Sequence, residues 1–219
     1  MKTPPAPARP RAVLFDLDGV LIDSEPRHAA AFEAIFAELL NHQPHGLDLA
    51  SYIGRSERAV WLDFITAHRP PFSLEELTAR KQQRVINLFR REEPIYPGVP
   101  DLVAALAARY PLAVASGSVH AVIREVLALR GLAQHFQAVA SVEDVGRAKP
   151  APDVFLRAAA LLGVAPHECW VIEDSVPGVQ AGLAAGARVI AITNSHPAHE
   201  LTAAHHVVRD YAEIARLLL

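Results

Sequence analysis

Ala12-Val13-Leu14-Phe15-Asp16-Leu17-Asp18-Gly19-Val20 is the stretch on which the reading of this chain turns. Four apolar, β-prone residues run into Asp16, a polar turn follows at Asp18-Gly19, and helix-favouring sequence comes next. Runs of the same kind recur at Leu112–Ala115, 169–172 and Arg188–Ile192, with Val207 and Val208 as a weaker fifth. Unbroken apolar runs suit strands buried on both faces of a parallel sheet. Between them, apolar residues at helical spacing predict helices over 99–109, 121–129, 152–162 and 179–185. Gly131, Gly163 and Gly186 stand just beyond three of these as stop signals. Strand alternating with helix is the pattern of an α/β, doubly wound, Rossmann-like layer around a parallel sheet.

Residues 25–94 break that rhythm. Helical patterns cover 29–40, 58–67 and 74–89, with no convincing strand, and prolines flank the region. It is predicted to be an all-helical insert, or cap, carried by a discontinuous core of 11–24 and 95–219. Residues 1–10, rich in proline, are read as a flexible N-terminus.

With 51% hydrophobic residues in 219, the chain can bury a sizeable core. The net charge is −3 and the lysines and arginines are scattered, so nothing favours nucleic acid or an anionic membrane as partner. One cysteine, Cys169, excludes an intrachain disulfide and fits a reducing compartment. The N-terminal segment lacks the apolar stretch of a signal peptide, and no run approaches the roughly 20 residues of a membrane span. A cytoplasmic globular protein is expected.

In open α/β sheets a ligand sits beyond the carboxyl ends of the strands, so the residues there should form one coherent set. Asp16 and Asp18 leave the first strand on the same side. Two close carboxylates repel, a divalent metal would relieve one, and the other is left to carry protons; a turn or helix cap would use the same residues. Ser116-Gly117-Ser118 ends the second strand with a hydroxyl and open amides, suited to an anion but also to an ordinary loop. Lys149 offers a cation for phosphoryl oxygens, unless it is a solvated surface lysine. Glu173-Asp174 ends the third strand with hard oxygen ligands suited to Mg²⁺, or with caps for the next helix. Together the four ends supply nucleophile, anion clasp, cation and metal ligands.

In their order and spacing, Asp16-Leu17-Asp18-Gly19-Val20, Ser116-Gly117-Ser118, Lys149-Pro150 and Glu173-Asp174 resemble the haloacid dehalogenase (HAD) superfamily. Ile22-Asp23-Ser24-Glu25, Tyr96-Pro97-Gly98 and Lys149-Pro150-Ala151-Pro152-Asp153 resemble its β-phosphoglucomutase-like and small-helical-cap phosphatase branch. The resemblance implies that Asp16 attacks phosphorus to form an aspartyl-phosphate while Asp18 serves as acid and then base. It further implies Mg²⁺ held by Asp16, the Asp18 carbonyl, Asp174 and Glu173, with Ser116, the Gly117 amide and Lys149 on the phosphoryl oxygens. Asp18 argues against dehalogenation, which has no leaving oxygen to protonate.

The same resemblance leaves two fates for the phosphoryl group. Water as acceptor gives a phosphatase, the preferred reading, on a small phosphorylated metabolite such as a sugar or polyol phosphate. A sugar hydroxyl gives a phosphomutase, whose cap histidine and lysine are similar to His28 and Lys81. In the cap loop, Gly54 and Arg55 are candidate substrate contacts. A catalytically inactive scaffold is a third reading, and a monomer is the expected state. His196, His199, His205 and His206 read as surface histidines, Cys169 as an inert core thiol, and Trp61 and Trp170 as packing residues.

Overall fold

The structure, a computed structural model, describes residues 10–52 and 57–219. Six parallel strands form one sheet: β1 (Ala12–Phe15), β2 (Leu112–Ala115), β3 (Ala138–Ala140), β4 (Cys169–Glu173), β5 (Arg188–Ile192) and β6 (His206–Val208), in the spatial order β3-β2-β1-β4-β5-β6. The chain lays β2 and β3 on one side of β1, then crosses to lay β4, β5 and β6 on the other. That makes β1 the place where strand order reverses, the position at which such sheets bind ligands. Registers bring the strand ends level, with Phe15 opposite both Val114 and Ile172.

Every residue of β1, β2 and β4 is buried, as the unbroken apolar runs require. Helices α4 (Val99–Ala107), α5 (His120–Ala128), α6 (Asp153–Leu162), α7 (Val176–Ala184) and α8 (Tyr211–Leu218) belong to the same unit as the sheet. Leu14, Ala113 and Val171 pack in one cluster with Phe155, Ala158 and Ala159 of α6 and Val179 and Ala181 of α7. The small residues let helix and sheet approach closely: a Cβ on Gly182 would stand only 2.8 Å from Val189 Cγ2. Capping sets the starts of two helices. Ser175 Oγ accepts from the Gly178 amide at α7, and Asp210 Oδ1 from the Glu213 amide at α8. Gly163 closes α6 with a φ of +67°.

The sequence pattern omits β3. Its three residues, Ala-Val-Ala at the sheet edge, are mostly half-buried and too few to show a period. The pattern also omits α8, an eight-residue helix at the C-terminal end. The predicted helices fall where expected, with shifted ends; α7, for example, starts at Val176 rather than 179.

Contacts divide the chain into two compact units, one running up to Asp23 and again from Pro94 to Leu219, the other Ser24–Glu93. The second holds α1 (Glu25–Leu39), α2 (Glu57–His68) and α3 (Leu74–Glu92). Its core is aromatic: Phe36 stacks on Phe64 at 4.2 Å between centroids, and Trp61 meets Phe32 at 4.9 Å. Ser73 and Glu76 form a reciprocal capping box at the start of α3. Within the first unit, the chain's exit and return lie side by side: Ile22 pairs antiparallel with Ile95, and the Asp23 amide donates to the Pro94 carbonyl at 2.9 Å. Among the described residues no helix is long and apolar enough to cross a membrane.

Leu14 lies at the centre of the sheet and is 1% exposed. Leu14→Ala is expected to lower stability by about 2–5 kcal/mol, measured by urea unfolding followed by far-ultraviolet circular dichroism. A loss under about 0.5 kcal/mol, the size of an ordinary surface effect, would contradict this placement of the core.

Candidate active site

Asp16 follows β1 directly, and its amide is tied to the Ile172 carbonyl of β4 at 3.0 Å. Its side chain is therefore delivered to the β1–β4 seam. Glu173 ends β4, Asp174 follows, and Lys149 arrives from the loop before α6. The Lys149 ammonium donates to Asp16 Oδ1 and, at 2.7 Å, to Glu173 Oε1, and it lies 4.8 Å from the centroid of the Phe155 ring. The other Glu173 oxygen, Oε2, accepts from the Asp174 amide, the Ser175 amide and the Ser175 hydroxyl at 2.8–2.9 Å. Gly178 leaves room for this carboxylate, since a Cβ there would overlap it. The surface-lysine alternative for Lys149 is overturned.

Ser116 is fully buried at the end of β2, its amide bound to the Ala140 carbonyl of β3 at 3.0 Å and its hydroxyl accepting from the Ser118 amide at 2.9 Å. A Cβ on Gly117 would meet nothing within 4 Å, so its backbone stands open. The Ser118 hydroxyl donates to Asp18 Oδ2 at 2.8 Å, and the Ser118 carbonyl accepts from the buried Ser141 hydroxyl at 2.8 Å. The second motif thus reaches the first through Ser118, a residue quoted in the sequence motif but given no role there.

The electrostatics follow from burial. Asp16, Glu173 and Asp174 are each at most 6% exposed, and their carboxylate oxygens lie within 4.8 Å of one another. Three carboxylates face one ammonium. Burial, first, pushes Asp16 well above the usual carboxylate range; Lys149 opposes this, while Glu173, Asp174 and Asp18 add to it. Burial likewise raises Asp174 to about 7, helped by Glu173 and opposed by a hydrogen bond from Ser195 and by Lys149. For Lys149, burial alone would lower the pKa, but Asp16 and Glu173 more than reverse it. Such a site is short of positive charge. Its donors are all hard oxygens, the chemistry that suits Mg²⁺, so the residues fit a divalent cation. Asp18 stands outside this carboxylate group, its side chain engaged with Ser118.

In the cap unit, His28 and Lys81 come together. Lys81 is 2% exposed; its ammonium lies 2.6 Å from His28 Nδ1 and 2.7 Å from Glu57 Oε2, and 4.9 Å from the Phe32 ring centroid. A solvated helix face is thereby excluded for Lys81. Glu57 was not singled out in the sequence, where it is one acid in a charged loop. Gly54 and Arg55 lie outside the described residues. Asn194, Ser195 and Tyr211, also unremarked in the sequence, surround the Asp18-Gly19-Val20 turn. Of the residues set aside, Cys169 is buried and its thiol is pushed up to about 11, chiefly by burial. His206 stacks on Trp170 at 5.5 Å, and His196 pairs with Glu200 at 2.9 Å.

Residues 10–186 match the family model described as haloacid dehalogenase-like hydrolase. Among curated proteins, the fructose-1-phosphate phosphatase YqaB of Escherichia coli K12 is 33% identical over 177 residues, which is 80% of this chain and 92% of that protein. Hexitol phosphatase B of Escherichia coli K12 is 36% identical over 183 residues, 83% of this chain and 82% of that protein. A structure from Thermotoga maritima, described as a candidate β-phosphoglucomutase, aligns with a TM-score of 0.78 at 27% identity, covering 95% of this chain and 98% of that one.

Protein stripped of divalent cations should show the strain of the carboxylate cluster as a pH dependence. Asp174 binds its proton up to about pH 7 when folded, against an ordinary value near 3.8. Between those limits the folded state holds more protons than the unfolded, so this group's contribution to stability is lost as pH rises. The melting temperature of Asp174→Asn in chelator is expected to rise relative to the unmutated protein from about pH 4 to about pH 7. A constant difference across that window would contradict the assignment.

Proposed function

The chain belongs to the haloacid dehalogenase-like hydrolase family, and we propose that it is a magnesium-dependent phosphatase that hydrolyses a small sugar or polyol phosphate through an aspartyl-phosphate on Asp16. The observation that carries this reading is the Lys149 ammonium, which joins Asp16 after β1 to Glu173 at the end of β4. That contact brings Asp16, Lys149 and Glu173 together at one point of the sheet, which supports the reading of Asp16 as nucleophile beside a cation.

An Asp16 oxygen attacks phosphorus as the bond to the sugar oxygen breaks, and Asp18 gives that leaving oxygen its proton. Asp18, now ionised, takes a proton from water; the hydroxide attacks phosphorus, inorganic phosphate leaves, and Asp16 is regenerated. The Ser118 hydroxyl holds Asp18 in place for both transfers. Ser116, the open Gly117 amide and Lys149 bind the phosphoryl oxygens as charge moves onto them. When bound, a divalent cation held by Asp16, Asp174, Glu173 and the Asp18 carbonyl offsets repulsion between the phosphate and the carboxylates.

A phosphomutase is the second reading, and the 2.6 Å contact between His28 and Lys81 favours it, because those are the cap residues shared by resemblance with mutases. Glu57 weighs against it: it already balances the Lys81 charge at 2.7 Å, leaving less for the second phosphate of a bisphosphate. Names of the curated relatives point to hydrolysis of fructose 1-phosphate and hexitol phosphates. We further propose a cytoplasmic monomer with no nucleic-acid or membrane partner. Its support is the net charge of −3 with scattered lysines and arginines, and the lone cysteine.

The test is a panel of fructose 1-phosphate, hexitol phosphates and hexose 1-phosphates with Mg²⁺, following phosphate release and isomer formation together. Phosphate release abolished by chelator is expected. Asp18→Asn should lower kcat by about 10²–10⁴-fold, and Asp16→Asn should remove the covalent route altogether. Isomerisation of a hexose 1-phosphate without net phosphate release would establish the mutase instead, and inertness toward the whole panel would favour the inactive scaffold.

A further inference from the structure

The turn that follows Asp16 is held from two directions. From inside, the Leu17 carbonyl accepts the amides of Val20, Leu21 and Ile22 at 2.8–3.3 Å, and the Gly19 amide donates to the Ile22 carbonyl at 2.8 Å. Gly19 has a φ of +78°, a left-handed conformation costly for other residues. A Cβ there would also run into Asp174 Oδ2 and stand 2.7 Å from Ser195 Oγ. The backbone of the turn is therefore pressed directly against a carboxylate of the cluster, with no room for slack.

From outside, the carbonyls of Gly19 and Val20 are taken by residues far along the chain. Asn194, two residues past β5, donates one side-chain N–H to the Gly19 carbonyl at 2.7 Å and one to the Tyr211 hydroxyl at 2.8 Å. Tyr211, the first residue of α8, donates its hydroxyl to the Val20 carbonyl at 2.8 Å. Both amide hydrogens of Asn194 and the hydroxyl of Tyr211 are thus used. The hydroxyl oxygen of Ser195, the neighbour of Asn194, lies with Asp174 Oδ2 beside the α-carbon of Gly19, and it draws the proton affinity of Asp174 down. If α8 merely packed against the core, a phenylalanine at 211 would serve as well, because packing a half-buried ring needs no hydroxyl. Here the hydroxyl's bond falls on the turn beside Asp18.

We propose that Asn194, Ser195 and Tyr211 form a latch that sets the Asp18-Gly19-Val20 backbone against Asp174 and thereby sets the affinity of the carboxylate cluster for a divalent cation. The inference rests on the reading of Asp16, Glu173 and Asp174 as a cation site. All three are positioning residues. Asn194 and Tyr211 act through the carbonyls of the turn, and so on the direction of the Asp18 carbonyl; Ser195 acts through Asp174, whose carboxylate shares the space beside Gly19 with its hydroxyl. Groups that orient metal ligands in this way characteristically govern affinity as strongly as weak ligands do.

Mn²⁺, whose free form is visible by electron paramagnetic resonance, serves as the probe. It is titrated into the unmutated protein, Tyr211→Phe, Asn194→Ala and Ser195→Ala, with melting temperatures recorded in chelator alongside. Tyr211→Phe retains the ring, which lies 6.1 Å from that of Tyr96, and removes only the hydroxyl, so a fold defect in Asn194→Ala would not blunt the test. Tyr211→Phe and Asn194→Ala are each expected to weaken Mn²⁺ binding by about 10–100-fold, with a smaller effect from Ser195→Ala. The Tyr211→Phe melting temperature in chelator should stay close to that of the unmutated protein, a combination that a purely structural role would not give. Mn²⁺ binding by Tyr211→Phe and Asn194→Ala within twofold of the unmutated protein would overturn the latch while leaving the cation site standing. Absence of Mn²⁺ binding by the unmutated protein would remove the cation site, and the latch with it.

Discussion

One buried ammonium, shared between two carboxylates from neighbouring strands, is the constraint on which the site depends. Removing charged groups from water is costly, and a buried ion pair recovers that cost only when its geometry is good and its remaining lone pairs are satisfied. Lys149 meets the first condition by bonding both Asp16 and Glu173. Glu173 meets the second with three donors on its other oxygen. Asp16 and Asp174 are left with raised proton affinity. The cluster is left short of positive charge, which a divalent cation would supply.

The sheet makes this convergence possible. Because β1 lies between β2 and β4 with their ends level, three chain segments deliver side chains to one edge without any loop having to reach far. The small residues of the covering helices then matter for chemistry as well as packing. Gly178 lies beneath the Glu173 carboxylate and Gly19, in the turn after β1, beneath that of Asp174, each at a spot where even a methyl group would displace a charged side chain.

What could be read in advance was whatever local order writes into a sequence. The fully buried strands announced themselves as apolar runs, and the acidic, hydroxyl and ammonium groups sat at their ends. β3 was invisible because a three-residue edge strand carries no period and is only partly covered. Asn194 and Tyr211 were invisible for a different reason. Their partners, Gly19 and Val20, are carbonyls 175 and 191 positions away, and a carbonyl leaves no mark on composition. The same holds for Glu57, whose bond to Lys81 spans two helices of the insert. Lys81 itself was ambiguous: its surroundings in sequence are polar, and only the packing of α1, α2 and α3 reveals it as buried.

The hydrogen bond between Asp23 and Pro94 and the bridge between Ile22 and Ile95 also bear on how such a chain can change over time. Since the excursion begins and ends at adjacent points, the entropy of closing it grows only with the logarithm of its length. Lineages could therefore lengthen, trim or exchange the helical insert with little penalty to the strands that bear the reactive groups. The helical insert and the carboxylate-bearing core become separately variable, a freedom written into four residues at the neck of the fold.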